Sequence, residues 1–314
     1  MSRALSCLSR WFTPLAAAGL PVPRTRIRQI DFRLPHPEMI SEGSQPAPPA
    51  EKMAELFQWI REAGDEMGWP CFLRTGMGSG KHSWKRTCFL ERPEDIEKHV
   101  WALVEWSHEC DMFGGVPCDV WVVREMLRGK AGAILDAYEG MPLVPEWRFF
   151  VQDGEVICAH PYWPALAICK GFKSEPENIG KIISASRSKE NSGGLLRTIG
   201  GATKALAGAF PGESWSVDAM LANSLHWQDD TWFVTDCAQA GLSWHWPGCE
   251  HEKKFKVRDY FGVPPSLLGE PSGQNYASKT IAEFAVKPVK ACPKCGTEFF
   301  VVPGSCPKCG ANLK

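Results

Sequence analysis

The chain has 314 residues, 44% of them hydrophobic and 23% charged, with 35 basic residues against 36 acidic ones and a formal net charge of -1. This composition excludes a disordered or collagen-like polypeptide, and the even balance leaves no whole-chain attraction to nucleic acid or anionic lipid. No run approaches the ~18 apolar residues that a membrane-spanning helix needs, so a soluble, cytoplasmic protein without a membrane partner is expected.

The first 30 residues carry five arginines and no acidic residue, a composition that resembles a mitochondrial transit segment. The helical spacing of Leu5, Leu8, Trp11 and Phe12, ending at Gly19 before an extended stretch at 20–25, explains the same residues as folded structure. Residues 34–50 hold five prolines and are predicted to form a loop. Met53, Leu56, Phe57 and Ile60 then share one face of a helix reaching Gly64 or Gly68. A strand over 70–75 leads into the glycine-rich segment 76–85, and 87–90 returns as a second strand, giving a hairpin with a mobile cationic tip.

A helix opened by Pro93 and Glu94 buries Ile96, Val100, Leu103 and Val104. Strands are predicted at 119–127, 146–151 and 156–160, the last two joined at an Asp153-Gly154 turn. A helical, small-residue stretch near 198–209 precedes strands at 215–221 and 231–237. These elements make an α+β domain over 1–261, followed by a Gly/Pro/Ser-rich linker at 262–289 and a separate module at 290–314.

That module carries the most specific signal. Cys292-Pro-Lys-Cys295-Gly and Cys306-Pro-Lys-Cys309-Gly are two copies of one knuckle, and four thiolates in that spacing suit a closed tetrahedral Zn²⁺ site. The pattern resembles a zinc ribbon. Five lysines against one glutamate from Lys287 to Lys314 fit either a nucleic-acid or a protein partner. The other nine cysteines scatter singly, and Cys71, Cys88, Cys158 and Cys237 read as small core residues of strands. The fourteen tryptophans read mainly as core or pocket walls.

Gly76, Gly78 and Gly80 with Lys81 and Lys85 offer the backbone amides and cations of a phosphate cradle. A Walker motif is excluded, because Gly76 lies one residue too close to Gly80-Lys81 and His82 stands where Ser or Thr is required. An ordinary surface hairpin is the alternative for the glycine run alone.

The order of these segments changes that weighting. GLPVPRT at 19–25, FLRT at 72–75, the glycine loop, VVREML at 122–127, EWRFFVQDGEV at 146–156, VDAML at 217–221 and WFVTDCAQ at 232–239 together resemble an ATP-grasp enzyme over about residues 15–245. The resemblance implies antiparallel sheets with flanking helices and a nucleotide held between two subdomains. It implies that Arg74, Gly76, Gly78, Gly80, Lys81 and Lys85 serve the phosphates of ATP, with Lys85 also at the chemistry, and that Glu125, Met126 and Leu127 run along the base. Arg148 would face the transferred phosphate, and Asp218 and Asp236 would hold Mg²⁺. The implied activity is ligation, in which Mg-ATP activates a carboxylate as an acyl phosphate for an amine or other nucleophile.

Phosphoryl transfer depends on positioning and charge cancellation, which these residue types supply. One departure stands out: the family's last motif ends acidic residue, any residue, asparagine, whereas Asp236-Cys237 is followed by Ala238, with Gln239 one position late. A degenerate nucleotide-binding protein that recruits partners through its ribbon, or an enzyme acting on nucleic-acid ends, therefore remain alternatives. Asp229 and Asp230 read as turn formers. Trp244 and Trp246 read as core, and His82 and His245 as candidate acid-base groups near the phosphates.

Overall fold

The computed structural model describes residues 5–111, 117–130, 132–224, 229–246 and 249–251, together with 290–291 and 298–299. The chain enters through α1 (Leu8–Ala17), β1 (Thr25–Gln29), α2 (Pro37–Ser41) and α3 (Ala50–Met67). It continues through β2 (Cys71–Thr75), β3 (Phe89–Leu90), α4 (Ile96–Asp111) and β4 (Val120–Glu125). Next come β5 (Ala133–Leu135), β6 (Met141–Leu143), β7 (Glu146–Gln152) and β8 (Glu155–Pro161). Then follow α5 (Ala165–Lys170), α6 (Ile179–Ser186), α7 (Ser192–Ala209), β9 (Ser214–Ala222) and β10 (Thr231–Gln239).

Two four-stranded antiparallel sheets organise these elements, ordered β1-β4-β2-β3 and β10-β9-β7-β8. In the first, alternation along β4 decides what each face meets. Trp121 and Val123 join Leu73 and Cys71 in a core packed by α3 and α4, with Leu56, Ile60, Val100 and Leu103 from the helices. Val120 and Val122 point the other way, into a second core with Leu8, Trp11 and Leu15 of α1.

The second sheet uses the same period. Trp147, Phe149, Trp215, Val217, Trp232 and Val234 are buried against α1 and α7, where Leu195, Ile199, Ala202 and Leu206 recur at helical spacing. The opposite face of this sheet is free to carry Glu146, Arg148 and Asp218 toward the first sheet. β7 and β8 are joined at Asp153 (φ 50°) and Gly154 (φ 84°), two consecutive positive φ values that suit the right-handed strand twist.

Most predicted elements are present. The loop predicted at 34–50 contains α2, whose first turn is capped where the Glu38 amide donates to His36 Nδ1 at 3.3 Å. The first strand starts at Thr25, later than the extended stretch at 20–25 suggested. The hairpin tip at 76–85 is folded inward rather than mobile: the Gly78 amide donates to Thr75 Oγ1 at 3.1 Å, and Lys81–Ser83 forms a 3-10 turn. β5, β6, α5 and α6 were not predicted, being too short for either period to register. Among the described residues, no helix is long and apolar enough to cross a membrane.

The linker at 262–289 and the four cysteines of the C-terminal module, Cys292, Cys295, Cys306 and Cys309, lie outside the described residues. Two short strands, β11 (Lys290–Ala291) and β12 (Glu298–Phe299), pair antiparallel and bracket the first knuckle.

Candidate functional site

A cavity of about 1080 Å³ opens between the two sheets. β4 leaves the first sheet at Glu125, and the next residues cross to the second sheet, where Arg128 and Asn223 form an isolated antiparallel bridge. Glu125, Met126 and Leu127 therefore line the cavity on a short covalent path from β4 into the second sheet's territory. The Glu125 side chain is buried; its Oε1 accepts from the Arg24 amide at 2.8 Å, while Oε2 has no partner.

The floor of the cavity on the first sheet is cationic. Phe72 pairs with Arg124 and Arg74 with Val122, so the two arginines are diagonal neighbours on one face of β2 and β4. Arg74 reaches Asp236 across the cavity at 3.2 Å. Arg124 is 4% exposed, donates one hydrogen bond from Nη1 to the Thr235 carbonyl at 2.6 Å, and lies 5.7 Å from the Trp11 ring. Its Nε and Nη2 have no hydrogen-bond partner. Burial, and then the like charge of Arg74, push its pKa down to about 9, so the group is still cationic at neutral pH. Buried donors of a charged group are normally satisfied, and two orphans aimed at a cavity fit an anionic ligand.

The glycine loop closes one side. Gly78 and Gly80 line the cavity, but Gly76 does not. A Cβ on Gly76 would stand 2.5 Å from the Cys7 sulfur, and one on Gly78 would stand 2.3 Å from the Trp106 ring, so close packing by itself demands both glycines. Lys81 is fixed by Glu146 at 3.5 Å and lies over the Tyr162 and Trp163 rings at 3.8 and 4.7 Å. Burial alone would lower the Lys81 pKa, and the Glu146 carboxylate more than reverses this. Burial also works against the Glu146 charge, which Lys81 offsets only in part. Lys85 lines the cavity and is exposed.

The opposite wall carries the carboxylates. Asp218 and Asp236 stand opposite one another on β9 and β10. The register explains how: Val234 pairs with Ala219, but Asp236, two residues on, pairs with Asp218, leaving Thr235 as the extra residue of a bulge. Val234 faces the α1/α7 core, and simple alternation would bury Asp236 there too. The bulge turns it to the cavity side with Asp218. Arg148 binds Asp218 through two parallel bonds at 2.7 and 2.8 Å and reaches the Trp244 carbonyl at 3.3 Å. It sits behind Asp218 rather than in the cavity lining. Burial opposes its charge, and Asp218 outweighs that and raises its pKa.

The structure thus brings Arg74, Gly78, Gly80, Lys81, Lys85, Glu125, Met126, Leu127, Asp218 and Asp236 around one cavity, with Arg148 directly behind Asp218. Gln239 does not substitute for the missing asparagine, because its side chain donates to Glu213 at 3.1 Å. His82 lines the cavity and stacks on Tyr138 at 4.8 Å. His245, expected near the phosphates, lies instead on the far part of the sheet, buried beside Phe150 at 4.3 Å. Trp246 is core as expected, and Trp84, Trp106 and Trp163 form cavity wall. Sequence reading missed Arg124 as a site residue. An arginine spaced two from Val122 in an apolar strand, on the same side as Arg74, was the available signal.

His99, 4% exposed, holds the Thr87 carbonyl through Nδ1 at 2.8 Å and also borders the cavity. Burial lowers its pKa from 6.5. Between that lower value and 6.5 the unfolded chain binds the proton and the folded chain does not, so stability rises with pH across this window. Its contribution is present above pH 6.5 and is lost as the pH falls below it. Urea midpoints are expected to drop between about pH 7 and pH 5, and His99→Gln is expected to shallow that drop; an unchanged slope contradicts this assignment.

Two antiparallel sheets closing on a cavity, cations on one wall and carboxylates on the other, define an α+β protein with a site for a polyanion and a divalent cation. Residues 66–189 match the model of an ATP-grasp domain family, the third family of its clade, and the chain carries an ATP-grasp domain with the ATP-grasp fold. Arg74, the glycine loop, Lys81, Lys85, Arg124 to Leu127 and Arg148 fall inside the matched span; Asp218 and Asp236 fall beyond it. Among solved structures, N5-carboxyaminoimidazole synthase from Aspergillus clavatus is similar at 15% identity, over 75% of this chain and 44% of that one, with a TM-score of 0.39. D-alanine–D-alanine ligase from Bacillus anthracis is similar at 11% identity, over 75% of this chain and 55% of that one, with a TM-score of 0.40. A RimK-domain ATP-grasp protein from Sphaerobacter thermophilus is similar at 14% identity, over 75% of this chain and 59% of that one, with a TM-score of 0.35. The chain spans about half the length of these proteins. No curated protein matches the sequence.

Proposed function

We propose that the protein is an ATP-dependent ligase that binds Mg-ATP between its two sheets and activates a carboxylate for attack by an amine or other nucleophile. The observation that carries this reading is the pairing of a buried, incompletely satisfied Arg124 beside Arg74 with two carboxylates, Asp218 and Asp236, that a bulge turns toward the same cavity.

In this reading Arg74, Arg124 and Lys81 hold the phosphates, with the Gly78 to Gly80 backbone alongside and Lys85 at the open edge. The adenine lies along Glu125 to Leu127, where the unpartnered Glu125 Oε2 accepts from the nucleotide. Asp218 and Asp236 fit a hard divalent cation by donor type, and Mg²⁺ bound there would neutralise charge on the phosphate oxygens. Arg148 orients Asp218 and holds positive charge near the transferred group. Carboxylate attack on the γ-phosphorus would form an acyl phosphate and release ADP; the nucleophile then displaces phosphate from the acyl carbon.

Incubation with Mg-ATP and panels of ¹⁸O-labelled carboxylates and amines tests this. One combination should release ADP, with ¹⁸O carried from the carboxylate into inorganic phosphate. A second reading, nucleotide binding without turnover, is favoured by Ala238 and the commitment of Gln239 to Glu213. It predicts nucleotide binding with no ADP release for any acceptor. The acceptor and the ribbon's partner, protein or nucleic acid, belong to the same proposal.

A further inference from the structure

Away from the cavity, the same face of the second sheet carries a cluster that the nucleotide chemistry does not use. Cys158 and His160 are alternate residues of β8, so both side chains emerge on the side that carries Phe150 and Arg148. His245 and Cys249 arrive from the segment after β10, in a turn closed by the Cys249 amide on the Trp246 carbonyl at 3.3 Å. One ligand atom from each of the four lies within 4.8 Å of the others, and all four residues are buried. The Cys158 sulfur and His245 Nε2 are 3.0 Å apart, and the two imidazoles meet edge to face at 4.7 Å.

The surroundings are apolar: Phe150 lies 4.3 Å from His245, and Trp246 stacks on His160 at 5.9 Å. Within this pocket neither ring nitrogen of His160 makes a hydrogen bond of normal geometry, although the Cys249 sulfur approaches the ring. Buried imidazole nitrogens are rarely left so, and a metal ion satisfies them.

We infer that Cys158, His160, His245 and Cys249 form a closed tetrahedral zinc site, separate from the four C-terminal cysteines. Two sulfur and two nitrogen donors are a standard structural zinc set. Zn–S bonds of about 2.3 Å in a tetrahedron place the two sulfurs about 3.8 Å apart, so the cluster needs only a small contraction. Binding releases the thiol protons. The site is structural rather than catalytic, because four protein ligands leave no open position and none of the four lines the cavity. It staples residues 243–249 to β8. The Trp244 carbonyl in that segment accepts from Arg148, so the ion also fixes the strap behind the Arg148–Asp218 pair.

The test uses the full chain with Cys292→Ser, Cys295→Ser, Cys306→Ser and Cys309→Ser, which removes the ribbon's donors. This variant is expected to keep about one zinc per chain after dialysis, with X-ray absorption showing sulfur near about 2.3 Å and nitrogen near about 2.0–2.1 Å. Cobalt exchanged into it should give tetrahedral d–d bands and a thiolate charge-transfer band, and adding Cys249→Ser should remove the latter or weaken metal retention at least about tenfold. A folded variant, by circular dichroism, that holds no zinc and takes up no cobalt overturns the inference. So does an intact mass showing Cys158 and Cys249 joined in a disulfide.

Discussion

Arg124→Met is expected to raise the thermal midpoint of the nucleotide-free protein while removing most of its affinity for ATP. The guanidinium is almost fully buried beside Arg74, with Nε and Nη2 unpartnered. Each unsatisfied buried donor costs about 1–3 kcal/mol, whereas the single bond to the Thr235 carbonyl returns about 1 kcal/mol. Methionine of similar length removes the penalty and keeps the contact with Trp11. A net gain of about 1 kcal/mol would move the midpoint up by about 2–4 °C in a domain of this size. Phosphate contacts from a charged donor are worth about 1.5–3 kcal/mol, so affinity should fall about 10- to 100-fold. Scanning fluorimetry with and without a nonhydrolysable analogue reads both effects. A lower midpoint with unchanged nucleotide stabilisation would mean that Arg124 serves only the fold.

Asp218→Ala is expected to be the most damaging change to stability in the site. It leaves the Arg148 guanidinium, 16% exposed, without the two bonds that hold it. Removing one partner of a buried pair costs about 3–5 kcal/mol, because the remaining charge stays desolvated. Adding Arg148→Leu should restore most of the lost stability and none of the magnesium-dependent nucleotide binding, and urea denaturation of the four members of the cycle measures the coupling. Additive losses would show that the pair is not coupled. Asp236 differs in kind: its side chain is 41% exposed and meets Arg74 at 3.2 Å, so Asp236→Asn should change stability little. That makes Asp236 the cleaner functional probe.

Periodicity made much of the fold legible. Met53, Leu56 and Ile60 marked α3, the alternation of β7 through β10 marked the second sheet, and Asp153-Gly154 marked the turn between β7 and β8. What escaped were elements too short to show a period, such as β5 and β6, and features set by tertiary register. The bulge at Thr235 cannot be read from WFVTDCAQ, because strict alternation would place Asp236 with Val234 in the core. The order of motifs located the cavity residues, but the partnership of Arg148 with Asp218, and the isolation of Arg124, depend on how the two sheets face each other. The glycine loop illustrates the converse. Gly76 and Gly78 are required by Cys7 and Trp106, so a glycine-rich run reports close packing as readily as phosphate binding. Cys158, read as a core residue of a strand, is buried as expected; its neighbours His160, His245 and Cys249 come together only in three dimensions.

The most direct measurement is a calorimetric titration of the intact protein with a nonhydrolysable ATP analogue, with and without Mg²⁺, repeated on Asp236→Asn and Arg74→Ala. Binding that Mg²⁺ strengthens in the parent protein, a lost Mg²⁺ effect in Asp236→Asn, and weaker binding throughout in Arg74→Ala are the predicted results. No heat of binding under any condition, or an affinity indifferent to Mg²⁺ and to both substitutions, would contradict a Mg-ATP site between the two sheets.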